Sequence, residues 1–167
     1  MAQETMSEID AYRETFEREY QTTRKLLHAF PPDKADLKPA DKSRTARDLA
    51  WMLVRTQMVP AYALDLNELK GAGGPTSPEK WDEILAAFDR AHTETATRLA
   101  RATEAEWNSE FGMPVAPGQT GNLLRGKALW FFLYDGIHHR GEFVVYARMA
   151  GAKVPSIYGP TADEPWR

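Results

Sequence analysis

Residues 128–146 read Ala128-Leu129-Trp130-Phe131-Phe132-Leu133-Tyr134-Asp135-Gly136-Ile137-His138-His139-Arg140-Gly141-Glu142-Phe143-Val144-Val145-Tyr146. This run sits inside a segment of helical periodicity over residues 121–150, with Gly151 placed to close it as a left-handed cap. Asp135 and His139 are four residues apart, so a helix projects both from one face, one turn apart. Glu142 and Tyr146 continue the same row. The wholly apolar part, residues 128–134, is far shorter than the roughly 20 residues a bilayer span requires.

Three more segments carry the same period. Over residues 7–30, Ile9, Tyr12, Phe16, Tyr20, Leu27 and Phe30 form one stripe; Ser7 with Asp10 resembles a capping box, and Pro31-Pro32 ends the helix. A second helix begins near Ser43 or Thr45 and runs to about Leu69, with Leu49, Met52, Leu53, Thr56 and Ala63 facing inward and a kink expected at Pro60. Gly71-Ala72-Gly73-Gly74-Pro75 breaks the chain, and Ser77-Pro78-Glu79 reads as the start of a third helix carrying Trp81, Leu85, Phe88, His92, Thr95 and Leu99. Residues 104–120 read as irregular, and nothing reads as a sheet. The expected fold is therefore all-α: a single domain over residues 1–167, a four-helix bundle, with the tail from Lys153, which holds Val154, Ile157, Tyr158 and Trp166, packed back onto it.

The composition narrows the chemistry. The chain has 167 residues and a formal charge of −3, without the basic excess of a nucleic-acid binder. It has no cysteine, which removes disulfides, thiolate metal sites and a cysteine nucleophile. No serine stands in a nucleophile-elbow context. The N-terminal residues are polar, with no signal-peptide pattern, so a cytoplasmic location is expected, with no membrane and no nucleic acid as partner. Chemistry is left to carboxylates, aromatic side chains and four histidines.

Asp135 with His139 has the spacing that two ligands on one helix need to reach a single metal ion. Asp135 with His138, three apart, is the other workable pair. Without metal, Asp135 and His139 form an oriented general-base pair. His92, on the inward stripe of the third helix, is either a buried imidazole satisfied by Asp135 or Tyr134, or a replacement ligand. His28, at the end of the first helix, reads as a surface cation at the negative end of the helix dipole. Arg140 and Arg148 read either as an anion site or as bundle-end salt bridges to Glu142, Asp163 or Glu164; Tyr158 reads as a gate or a plug over apolar surface. Gly126, Gly136 and Gly141 each cost about 1 kcal/mol in a helix interior, so close approach of a helix or ligand is expected there.

Ile137-His138-His139-Arg140-Gly141-Glu142, followed by Tyr146, Arg148, Gly151 and Val154-Pro155-Ser156-Ile157-Tyr158-Gly159-Pro160, closely resembles the C-terminal signature of the DinB-like proteins. Thr45-Ala46-Arg47-Asp48-Leu49-Ala50-Trp51-Met52 resembles the second-helix signature of the same family. The resemblance implies a four-helix bundle and, in many members, a divalent metal such as Zn, Ni or Mn held by three histidines. Some relatives use that site for transfer or isomerisation with a low-molecular-weight thiol. Carried over by position, the last histidine falls on His139, its partner on Asp135 and the second-helix histidine on Met52, whose thioether suits those ions poorly. Glu142 stands where glutamine is common in the family.

Two functional readings follow. In one, the chain is a bundle scaffold or small-molecule binder that has lost the three-histidine metal site, with Met52, Glu142, Arg140, Tyr146 and Tyr158 around the pocket. In the other, it is a divalent-metal-dependent hydrolase or thiol-dependent transferase using an altered site of Asp135 and His139, with His138 or His92 in support. A homodimer is expected from the tryptophans and the long helix faces.

Overall fold

The computed structural model describes residues 6–70 and 74–166. Four long helices make the body of the protein: α1 (Glu8–Ala29), α2 (Ala46–Asp65), α3 (Trp81–Leu99) and α5 (Arg125–Met149); a short helix, α4 (Glu104–Trp107), and two strands, β1 (Glu110–Ala116) and β2 (Gln119–Leu124), lie between α3 and α5. The caps at α1 and α2 form as their residue types dictate. The hydroxyl of Ser7 accepts from the Asp10 amide, that of Thr45 accepts from the Asp48 amide, and Gly151 turns left-handed at φ 78° after α5. α2 runs through Pro60 without a break.

Two apolar clusters fill the bundle. One gathers the C-terminal half of α1, the starts of α2 and α3, and the end of α5 around Phe30, Leu49, Trp81, Phe88 and Phe143. The other gathers the start of α1, the ends of α2 and α3, and the start of α5 around Tyr12, Phe16, Trp107, Phe111 and Leu129. The order in which each helix meets the clusters sets its direction: α1 and α5 run one way, α2 and α3 the other. Because α2 and α3 are parallel, the chain between them must travel back along the bundle. Its residues 71–73, part of the glycine break read from the sequence, lie outside the described residues.

Several expectations are corrected. A hairpin exists where none was read: β1 and β2 pair antiparallel with Phe111 opposite Leu123, and a register shift falls between Pro114 and Ala116. Most hairpin positions face solvent, so the sequence lacks the apolar alternation that marks a strand. The third helix starts at Trp81, capped by the backbone of Lys80, and not at Ser77-Pro78-Glu79. α2 stops at Asp65, because residues 67–69 leave the helix to bond β1 through Gly112 N–H to Asn67 O (2.9 Å) and Leu69 N–H to Gly112 O (2.8 Å). The tail does pack on the bundle through Val154, buried in the first cluster, and Ile157 beside it, but Trp166, read as part of the same contact, is 78% exposed. Among the described residues, no helix is long and apolar enough to cross a membrane.

Candidate functional site

Buried Arg125 builds the frame of the site. Its guanidinium donates to the carbonyls of Ala63 and Leu66 (the latter 2.6 Å) and to Asn67 Oδ1 (3.3 Å), while its Nε donates to Ser109 Oγ (3.0 Å). These bonds satisfy carbonyls orphaned at the end of α2 and lock that end to the hairpin and to α5. Between α2, the hairpin and α5 lies a cleft of about 630 Å³. Its walls are Met52, Met58, Val59 and Tyr62 of α2, Met113 to Gly118 of the hairpin, and Phe132 of α5. The polar groups on it are Arg55, Thr56 and Asp135. Arg55 already has an interaction partner within the protein.

Asp135 also faces the histidine row. His139 is buried, with Nε2 3.6 Å from Asp135 Oδ1 and Nδ1 2.8 Å from Glu142 Oε2. A carboxylate only accepts, so Nδ1–H donates to Glu142 and Nε2 is the ring nitrogen that faces Asp135. A carboxylate that fixes the far nitrogen is the usual support for a ligating histidine. Two donors about 2.0–2.2 Å from one tetrahedral ion lie roughly 3.4 Å apart, near the observed separation. His138 lies on the exposed side; its ring, the ring of His139 and the carboxylate of Glu142 bring one donor atom each within 4.8 Å of one another.

The three-histidine metal set does not fit this chain. Met52 lies on the cleft wall with Asp135, so the third position supplies a soft thioether beside one carboxylate and one imidazole. His92 does not repair the set. Its Nε2 contacts Glu17 Oε2 at 2.9 Å, its Nδ1 lies 3.3 Å from the side-chain amide of Gln57, and its ring stacks on Tyr20 at 3.5 Å. The expected partners Asp135 and Tyr134 are replaced by Glu17 and Gln57, which α1 and α2 bring to this height of the bundle. Burial lowers the His92 pKa from its ordinary 6.5, against the opposing pull of Glu17.

Arg140 is neither a bundle-end bridge nor an exposed anion site. It is 2% exposed and pairs at 2.7 Å with Glu19 of α1, itself 3% exposed. Tyr158 of the tail closes this pair: its hydroxyl accepts from Arg140 Nη2 (2.6 Å) and donates to Glu19 Oε2 (2.7 Å). Arg148, by contrast, does bridge to Asp163. Tyr146 is buried away from the cleft and donates to Arg44 O at 3.0 Å. His28 is exposed in the last turn of α1. Of the residues read as pocket from the sequence, Met52 lines the cleft, whereas Glu142, Arg140, Tyr146 and Tyr158 do not. Arg125 and Glu19 were not singled out in the sequence, because a lone charge among helical residues gives no sign of burial.

Two of the helix glycines have packing reasons. A Cβ at Gly126 would meet Trp107 Nε1 at 2.2 Å, and one at Gly136 would meet Thr56 Oγ1 at 3.0 Å. At Gly141 no other described residue comes within 4 Å of such a Cβ, its chain neighbours and own helix backbone aside.

The model of the DinB family matches residues 1–166. The uncharacterised protein YrdA of Bacillus subtilis (strain 168) is 24% identical over 156 residues, 93% of this chain and 91% of that protein. A DinB-like protein from Bacillus cereus ATCC 10987 superposes with a TM-score of 0.72 at 18% identity, covering 88% of this chain and 95% of that one. YfiT from Bacillus subtilis, described as a probable metal-dependent hydrolase with an unusual four-helix bundle topology, superposes at 0.67 with 15% identity, covering 90% and 93%.

Proposed function

This chain belongs to the DinB family, and we propose that it binds a small molecule with an apolar body and a positively charged or hydrogen-bond-donating end in the cleft between α2, the hairpin and α5. One observation carries this reading: a cleft of about 630 Å³ walled by Met52, Met58, Met113 and Phe132 has the Asp135 carboxylate as its anionic group. That size and lining are those of small-molecule sites, in which a few polar groups orient a ligand held by apolar surface. Thioether side chains adapt to irregular apolar shapes, so several methionines favour a flexible or aromatic ligand body. Asp135 meets His139 only at 3.6 Å, beyond a hydrogen bond, and has acceptor capacity to offer an ammonium or amide group.

A second reading rests on the geometry of His139. With Nδ1–H held by Glu142, Nε2 in its deprotonated form and the Asp135 carboxylate would offer two donors to one divalent ion at the cleft edge, with the remaining positions open to water or substrate. Zinc, nickel and manganese all accept such donors. An ion there would supply Lewis-acid chemistry for thiol transfer or for hydrolysis, and the description of YfiT as a probable metal-dependent hydrolase supports the latter.

Calorimetric titration with 4-phenylbutylamine and with 4-phenylbutyrate, in the presence of a chelator, tests the first reading. The amine binds at least about tenfold more tightly than the carboxylate, and Asp135→Asn abolishes the difference. Equal affinities, or a preference unchanged by Asp135→Asn, overturn it.

A further inference from the structure

The cleft holds two opposite charges at one level of the bundle. Thr56 of α2 and Gly136 of α5 pack closely, a Cβ at Gly136 standing 3.0 Å from Thr56 Oγ1. Arg55 and Asp135 each precede one member of that contact, and both line the cleft. Helix geometry accounts for this. α2 and α5 run in opposite directions, so a local two-fold axis relates them where they touch. On each helix the residue one step back turns about 100° to the same side of the seam. A guanidinium and a carboxylate, both half-buried, therefore flank the seam beside Thr56. Much of the apolar wall lies to one side of this level: Val59 and Tyr62 follow on α2, Phe132 precedes on α5, and Met113 comes from the hairpin.

We propose that the ligand of this cleft carries an α-amino acid head group, an ammonium and a carboxylate on one carbon, with an apolar or aromatic side chain. This rests on the reading of the cleft as a site for an amine and adds a second charge to it. Asp135 takes the ammonium, Arg55 takes the carboxylate, and the side chain lies among Val59, Tyr62, Phe132 and Met113. A plain amine brings its positive charge up beside that of Arg55, whereas a carboxylate on the same carbon turns repulsion into attraction. A peptide N-terminus lacks the adjacent carboxylate, and a peptide C-terminus lacks the adjacent ammonium. The head group is thus that of a free amino acid.

The guanidinium is set for this role. Its Nε, Cζ and Nη2 stand 3.7, 3.8 and 3.8 Å from where a Cβ of Gly74 would be, so its flat face lies against that glycine. The N–H groups lie in the plane of the group, along the edge that grips both oxygens of a carboxylate. Arg55 has a partner within the protein. With five N–H donors, a guanidinium serves such a partner and a carboxylate together. The volume of about 630 Å³ accommodates a head group and an aromatic side chain.

Calorimetric titration in the presence of a chelator, with 4-phenylbutylamine and each enantiomer of 2-amino-5-phenylpentanoate, provides the test. The amino acid is the same amine with one carboxylate added at the carbon that bears the nitrogen. Its better enantiomer binds at least about tenfold more tightly than the amine. The methyl ester of that enantiomer, which keeps the ammonium and the side chain, loses the gain; this comparison needs no variant. In Arg55→Gln the ratio of amino acid to amine affinity falls to about twofold or less, each ratio being taken within one protein. An amine that binds through Asp135 while the carboxylate adds nothing overturns the inference and leaves the amine site standing. An ester as tight as the acid, or a gain that survives Arg55→Gln, does the same. Absence of binding by both probes overturns the amine site and the inference together.

Discussion

Replacing Arg140 by methionine breaks a charge pair in the middle of the bundle and tests whether that pair organises the core. Arg140 and Glu19 are 2% and 3% exposed and 2.7 Å apart, so removal of the guanidinium leaves a carboxylate in a space that water does not reach freely. Losing one partner of such a pair costs about 3–5 kcal/mol. The Tyr158 hydroxyl continues to donate to Glu19 at 2.7 Å, which places the cost near the lower end, about 3 kcal/mol. For a chain of this length that lowers Tm by roughly 6–12 °C. Replacing both groups, as in Glu19→Met with Arg140→Met, removes the stranded charge and recovers most of the loss, because apolar side chains of similar volume replace buried ion pairs at little cost. Differential scanning calorimetry of the two single variants and the double variant closes the cycle. A single-variant loss under about 1 kcal/mol, or a double variant as unstable as the sum of the singles, refutes the reasoning.

Other consequences follow from the same packing. Gly126→Ala drives a methyl into the Trp107 indole, 2.2 Å from Nε1, and costs about 1–3 kcal/mol by denaturant unfolding; a neutral change would show that Trp107 moves aside freely. Because the folded-state pKa of His92 is lowered below 6.5, the unfolded chain takes up this proton first as pH falls. The His92 contribution is therefore complete above pH 6.5 and declines below it, towards the lowered folded value, so His92→Gln flattens the fall of Tm on acidification; an unchanged pH profile contradicts this. Met52→His returns an imidazole to the wall that Asp135 shares and tightens Zn²⁺ binding at least about tenfold in a competition assay. No gain would show that position 52 does not face the Asp135–His139 pair.

What could be read in advance divides along the range of the interactions. The helices, the caps at Ser7 and Thr45 and the left-handed Gly151 depend on residues within a turn of one another, and their spacing announces them. The row of Asp135, His139 and Glu142 is likewise local, and its two contacts form within α5. The hairpin escaped notice because its strands are mostly exposed and carry Pro114 and Gly112, which read as breaks; Gly112 fits because a Cβ there would stand 3.0 Å from Glu68. The polar layer escaped notice for another reason. Glu19 lies 121 residues from Arg140, and Gln57 lies 35 from His92, so their pairing depends on how the helices associate. The cleft needs three separate segments at once, and its size follows from the hairpin that had no sequence signal.

The proposed function gives Asp135 to an apolar ligand cleft as its carboxylate, in place of a three-ligand metal centre. The most direct test is metal analysis of protein purified without a histidine tag, together with thermal unfolding before and after dialysis against a chelator. The account predicts well under one equivalent of Zn, Ni or Mn per chain, and the same Tm after dialysis. One equivalent retained through purification, whose removal lowers Tm, would contradict it.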